Sequence, residues 1–238
     1  MLQWIYPHLC ALCHSPGEQE LCPDCAAGLK RVPLPICLYC GSSVAGEQED
    51  PYHCRECKGR ARSFDFARSA LCNTEQSLYL VHKLKYHHAN YLAPALAEFL
   101  SEVWDDTPAL DSAEDWGIVP VPSGKTHLFL RGFNQAEELA RSLGKLRGLR
   151  VYEPLQRIFS NDDSQTRLSA TARWRNALQS YKLTESYASG RRALPERLVL
   201  VDDVYTTGAT VRACAHALKQ LPEVKKVGVL TVMRAARG

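Results

Sequence analysis

The chain has 238 residues, an apolar fraction of 45%, a charged fraction of 23% and a formal net charge of +3. That is enough apolar material for one large domain, or a moderate domain with a small appendage, and it excludes wholesale disorder. The small net charge gives no argument for nucleic-acid binding, and no stretch approaches the roughly 18 apolar residues of a membrane span. The charge is unevenly spread: residues 116–198 hold 14 basic and 7 acidic side chains, whereas residues 61–115 hold 4 and 9. An anionic small molecule or a nucleic-acid backbone would suit the basic part equally well.

The first residues, Met1 to Pro7, lack the basic-then-apolar pattern of an export signal. Eight of the ten cysteines fall into CxxC pairs: Cys10/Cys13, Cys22/Cys25, Cys37/Cys40 and Cys54/Cys57. Together these features favour reduced thiols and a cytoplasmic location over disulfides. Two intervening residues let a tight turn aim both sulfurs at one tetrahedral ion, and two such turns complete a four-sulfur site. Pairing in sequence order gives two small zinc ribbons, while a crossed pairing stays open. With every coordination position filled by sulfur, both zinc ions are expected to be structural. His8, His14 and His53 are expected outside the coordination sphere, and Cys72 and Cys214 as ordinary buried thiols. Lys58-Gly59-Arg60 reads as the exit, which divides the chain into a ribbon module at 1–60 and a second domain at 61–238.

Beyond the exit, Phe64–Leu71 reads as a short strand. Helices are expected at 75–88 and 92–104; in the first, Leu78, Val81, Leu84 and Lys85 recur at helical intervals. The acidic, proline-interrupted stretch at 105–115 reads as a surface connector. A short core strand follows at 117–122, then a helix at 134–146 with Ala136, Leu139, Ala140 and Leu143 on one face. Residues 156–159 read as a second strand and 169–178 as partly helical. The clearest central strand is 198–201, followed by a helix at 211–221 and a strand at 226–232. Apolar strands alternating with helices predict an α/β fold, a parallel sheet covered on both faces.

The run Val199-Leu200-Val201 ends in Asp202 and Asp203, then passes through Val204 and Tyr205 into Thr206-Thr207-Gly208-Ala209-Thr210. Backbone N–H groups at a helix start bind phosphate, and the hydroxyls add donors. Gly208 permits close approach or a positive φ. Carboxylates at the carboxyl end of such a strand occupy the ligand-bearing edge of an open α/β sheet, within reach of sugar hydroxyls or a metal. Neither the Walker pattern nor a dinucleotide-binding glycine pattern is present.

Residues 200–210 resemble the phosphoribosyl-pyrophosphate motif of type I phosphoribosyltransferases. The whole chain resembles the ComF/GntX family, which joins a cysteine-rich zinc module to such a domain. Besides the cysteine pairs and the Asp-Asp loop, the likeness rests on Lys85-Tyr86, the Val-Pro-Val-Pro run at 119–122 and Arg131-Gly132-Phe133-Asn134-Gln135. Gln165-Thr166-x-Leu168 and Arg173-x-x-Asn176 complete it. The resemblance implies a type I phosphoribosyltransferase-like parallel sheet flanked by helices, and a bacterial role in DNA uptake or utilisation.

It also implies roles for individual residues. Asp202 and Asp203 contact the ribose 2′- and 3′-hydroxyls, directly or through magnesium and water. Tyr205 belongs to the same stretch, and Thr206, Thr207, Gly208, Ala209 and Thr210 surround the 5′-phosphate. Arg131 and Gly132 match the pyrophosphate loop, while residues 165–173 match a loop that closes over the site. Arg167, Arg173, Arg131 and Lys85 are then charge stabilisers. The implied chemistry is displacement of pyrophosphate from ribose C1 by a nitrogen nucleophile, with magnesium and cations neutralising the leaving group. Loop closure excludes water. Asn134 and Gln135 either position ligand or, for Asn134, cap a helix.

Only six residues follow Val232, so a C-terminal hood to recognise a base is not expected from this sequence, and residues 61–115 are the candidate to supply one. The acceptor is therefore open, as is binding without transfer. Two non-enzymatic readings stand beside this one: a single-stranded-DNA-binding module, and a zinc module that docks DNA-uptake proteins.

Overall fold

The computed structural model describes residues 8–44, 53–58, 63–86, 89–110, 115–124, 128–129, 132–158 and 180–235. The N-terminal module contains a two-stranded antiparallel pair, β1 (His8–Leu9) with β2 (Pro16–Gly17), and a short helix α1 (Pro23–Gly28). Next come β3 (Phe66–Leu71), α2 (Glu75–Tyr86), α3 (Ala93–Asp105), β4 (Trp116–Pro120) and α4 (Gln135–Arg147). The rest of the chain forms β5 (Leu155–Arg157), β6 (Tyr181–Leu183), α5 (Glu185–Ala188), β7 (Arg197–Tyr205), α6 (Ala209–Leu218) and β8 (Lys226–Arg234).

The central sheet has the order β3-β8-β7-β4, with every pair parallel. Its strands are near-continuous apolar runs, as a sheet covered on both faces requires. Alternate residues of β7 divide between the faces. Val199 and Val201 pack with α2, α3 and α4, whereas Leu198 and Leu200 pack with α6. One polar pair is admitted inside: Ser69 and Thr231, opposite each other on β3 and β8, share a buried hydrogen bond of 2.7 Å.

Two expectations change. On α2 the inner face is Ser77, Leu80, Val81 and Leu84, and Leu78 points outward at 51% exposure. Ser77 can face inward because its hydroxyl donates to the Cys72 carbonyl at 2.5 Å. The strand expected at 156–159 is β5, which pairs antiparallel with β6 rather than joining the central sheet. Only its first residue, Leu155, is buried, so it cannot fill a place covered on two faces. The edge beyond β4 is extended instead by Val151, bridged to Ile118.

The ribbon module grips the opposite edge. Val32 N–H donates to Ala70 O at 3.2 Å, Cys72 N–H to Lys30 O at 2.9 Å, and Ala67 N–H to Tyr39 O at 2.7 Å. The outer edge of β3, which would otherwise present unpaired backbone, is thereby covered. The module also straddles the sheet: Cys10, Leu21 and Leu29 join the core on the α2–α3 face, and Cys37, Tyr39 and Cys54 join the core on the α6 face.

Gly41 sits in this seam with φ of 71°, and a Cβ there would overlap the Ala67 carbonyl oxygen. Backbone strain of about 1–3 kcal/mol corresponds to roughly 2–12 °C of melting temperature for a chain this size. Gly41→Ala should therefore lower the calorimetric Tm of the zinc-loaded protein within that range. An unchanged Tm would show that the seam is not tightly packed.

Candidate functional site

Strand β7 ends where the sheet opens to solvent, and its last polar residues border a cavity of about 180 Å³. Lys85 reaches it from the last turn of α2, Asn134 and Gln135 from the start of α4, Arg157 and Tyr181 from β5 and β6, and Thr210 from α6. Asp203 is buried, and its Oδ2 pairs with Lys85 Nζ at 2.5 Å. Asp202 is partly buried and accepts the Asp203 N–H at 2.9 Å. Burial, and then the adjacent Asp203 charge, hold the Asp202 carboxyl well above the usual carboxylate range.

Between β7 and α6 the chain turns through Gly208, which caps the helix with φ of 75°. Thr206 and Thr207 are exposed, and Thr207 Oγ1 accepts the Ala209 N–H at 3.4 Å. The first N–H groups of α6 have no partner within the helix, so this end of the cavity favours an anion. Asn134 is the N-cap of α4: its Oδ1 accepts from Ala136 N–H at 3.2 Å and from Ser123 Oγ at 2.7 Å. Its Nδ2 donates to Val121 O at 3.1 Å, so the capping role is the one observed.

Of the expected site residues, Lys85, Asp202, Asp203 and Thr210 come together around one cavity. Thr206, Thr207, Gly208 and Ala209 form the adjoining turn, while Gly132 lies before α4 with φ of 80°. Tyr205 is only 3% exposed and does not line the cavity; its ring packs beneath Gly208. Arg131, Arg167 and Arg173 lie outside the described residues. Arg157 and Tyr181 line the cavity without having been singled out in sequence. They face each other across β5 and β6, with the guanidinium 6.0 Å from the ring centroid. Three-residue strands carry no readable period, so only the later pairing reveals them.

The cysteines form two clusters in sequence order, Cys10/Cys13/Cys22/Cys25 and Cys37/Cys40/Cys54/Cys57, with all sulfurs of a cluster within 4.8 Å of one another. Cys13 and Cys22 sulfurs are 3.7 Å apart, as are those of Cys40 and Cys54. Zinc–sulfur bonds of about 2.3 Å in a tetrahedron place sulfurs about 3.8 Å apart, so both clusters fit a four-sulfur zinc site. Among the described residues neither cluster includes a histidine. The second cluster is buried at all four cysteines, whereas Cys13 of the first is exposed. Cys214 is fully buried on α6.

The molecule is thus a parallel α/β protein with two four-cysteine knuckles and an acid-lined cavity at a strand end. Residues 1–73 match the family described as Double zinc ribbon domain. DNA utilization protein YhgH of Salmonella typhi is 30% identical over 216 residues, covering 89% of this chain and 91% of that protein. Competence protein F of Haemophilus influenzae is 28% identical over 223 residues, 92% of each. Competence protein ComFC of Bacillus subtilis is 27% identical over 224 residues, 92% of this chain and 85% of its own length. The chain belongs to the ComF and DNA-utilization family, with an N-terminal double zinc ribbon. No helix among the described residues is long and apolar enough to cross a membrane.

The raised Asp202 carboxyl has a consequence for stability. The native site binds this proton more tightly than the unfolded chain does, so the ligand-free protein loses stability as pH rises through the raised value. Asp202→Asn should flatten that part of the pH profile and raise the neutral-pH Tm by about 2–4 °C for each kcal/mol regained. Thermal melts from pH 5 to pH 9 without ligand or magnesium provide the check.

Proposed function

We propose that this protein binds phosphoribosyl pyrophosphate with magnesium in the cavity at the end of β7, and that transfer of the phosphoribosyl group to a nitrogen acceptor is the reaction the site serves. One observation carries the reading: Asp202 and Asp203, with Lys85, share a polar cavity beside the glycine-led start of α6. Phosphate and ribose are both accommodated by that pairing of an anion-binding helix start with two carboxylates. Asp202 and Asp203 would hold the ribose hydroxyls or magnesium, and bound magnesium would neutralise the departing pyrophosphate. Thr206 to Thr210 would hold the 5′-phosphate.

Arg131 and Gly132 are assigned to the pyrophosphate. Arg157 and Tyr181 flank the segment bearing Arg167 and Arg173, and both line the cavity, which supports giving those two arginines to the charged ligand. The ribbon module at 1–60 and the transferase-like domain at 61–238 would act as one body in the cytoplasm, where eight unoxidised thiols are suited to metal. The family's printed names, competence and DNA utilization, support placing the reaction in DNA uptake or use.

Calorimetry with phosphoribosyl pyrophosphate and magnesium tests the site. Wild type should bind saturably and the Asp202→Asn/Asp203→Asn variant should not. Equal heats from the two folded, zinc-loaded proteins would sink the assignment.

A second reading, direct contact with single-stranded DNA, is favoured by the outer face of α2. Tyr79 and Tyr86 are 44% and 56% exposed, Lys83 lies 5.6 Å from the Tyr79 ring, and the His82 ring lies 4.5 Å from that of Tyr86. Aromatics interleaved with cations make a stacking surface for unpaired bases. Association should weaken steeply with salt. No binding of an oligothymidine by the zinc-loaded protein at low salt would remove this reading.

A further inference from the structure

The buried knuckle and the phosphate turn are joined by a short chain of contacts. Arg234, the last residue of β8, lies opposite Tyr205, the last residue of β7. Its guanidinium donates to the Cys40 carbonyl at 2.6 Å and to Cys40 Sγ at 3.5 Å. The same group covers the Tyr205 ring at 4.5 Å. Tyr205 in turn fills the space under Gly208, where a Cβ would fall 2.7 Å from its Cζ. A parallel route runs through Tyr39, which stacks on Phe64 at 4.5 Å. Arg212, in the first turn of α6, lies 5.5 and 5.6 Å from those two rings.

Charge and geometry tie these contacts to the cluster. Four thiolates around one Zn²⁺ leave a net charge of about −2, which burial makes unfavourable without nearby cations. Arg234 donates directly to a ligand sulfur and supplies such a charge. Without Zn²⁺ nothing would hold the four sulfurs to one centre, so the Cys40 carbonyl and sulfur that Arg234 grips would shift, and the guanidinium would move with them off the Tyr205 ring. The first cluster belongs to the core on the other face of the sheet, away from Tyr205 and Arg212.

We propose that Arg234 is a positioning residue that couples metal occupancy at Cys37, Cys40, Cys54 and Cys57 to the geometry of the Thr206–Thr210 turn, and so to its affinity for a phosphate monoester. The affinity part rests on the phosphoribosyl reading above; the coupling itself does not. Metal and turn form one unit, with Tyr205 as the piece between them.

The test uses full-length, zinc-loaded protein. Hydrogen exchange of residues 204–212 is followed by mass spectrometry while a chelator removes zinc, and thiol alkylation reports which cluster has opened. Exchange in the turn should accelerate in step with labelling of Cys37, Cys40, Cys54 and Cys57, and not with labelling of Cys10, Cys13, Cys22 and Cys25. Arg234→Gln should weaken zinc retention at the buried cluster by about 10–100-fold. It should also speed exchange in the turn and weaken calorimetric binding of phosphoribosyl pyrophosphate about 5-fold or more. Arg234→Lys, which keeps the charge but loses the two-pronged donation, should fall between.

Turn exchange that ignores the buried cluster, or that follows the first one, would overturn the proposal even if no Arg234 variant folds. If wild type binds no phosphoribosyl pyrophosphate, the phosphoribosyl reading fails while the exchange measurement still decides the coupling.

Discussion

A strand buried on both faces cannot carry two adjacent carboxylates anywhere except at its open end, and β7 places Asp202 and Asp203 there. The arrangement of the cavity follows from satisfying those charges. The Lys85 ammonium has to arrive from α2, and α2 can deliver it only if Leu80, Val81 and Leu84 dock on the sheet and set the rotation of the helix. Asn134 must hold the start of α4 clear of the same space, which it does by capping that helix and tying back to Val121. Paired with the Lys85 ammonium at the rim of the cavity, Asp203 stands where a sugar hydroxyl or a metal would enter.

The ribbon module is integral to this frame because each face of the sheet receives one of its knuckles. Arg31 anchors it to α3 through a fork onto Glu102, with bonds of 2.9 to 3.2 Å, and covers the Phe99 ring at 4.6 Å. The ion pair is exposed and contributes little by itself. The larger contribution comes from apolar burial at Leu21, Leu29, Tyr39 and Phe64, which gives one continuous interior on each side of the sheet.

Much of this was legible in sequence, and the reasons are physical. CxxC spacing determines turn geometry almost alone, so four sulfur pairs and two four-sulfur sites could be anticipated, whereas which pairs join is set by the fold, which groups them in sequence order. The run ending in Asp202-Asp203 and the glycine-led helix start have only one sensible place in an α/β sheet. Other features depend on tertiary contacts. The rotation of α2 could not be read because a serine whose hydroxyl is satisfied locally competes with Leu78 for the inner face. The hairpin of β5 and β6 pairs segments too short to show a period, so the sequence carries no signal for Arg157 and Tyr181. Tyr205 sits in a motif whose neighbours face ligand, yet its ring turns inward, departing from the alternation of Val199 and Val201 to join the α6 face beside Phe64, edge-on at 6.5 Å.

The order of strands has a consequence for how the chain is made. β3 is the first strand of the central sheet to be synthesised, but the strand it pairs with there, β8, is the last; Ser69 and Thr231 are 162 positions apart. Contacts of such separation form late, and an unpaired apolar strand is a hazard until they do. On the ribosome, the segment at 30–32 and Tyr39 are backbone partners that β3 meets as soon as it emerges. The double ribbon, folding on metal before the sheet exists, would then act as a built-in chaperone for the strand that must wait longest.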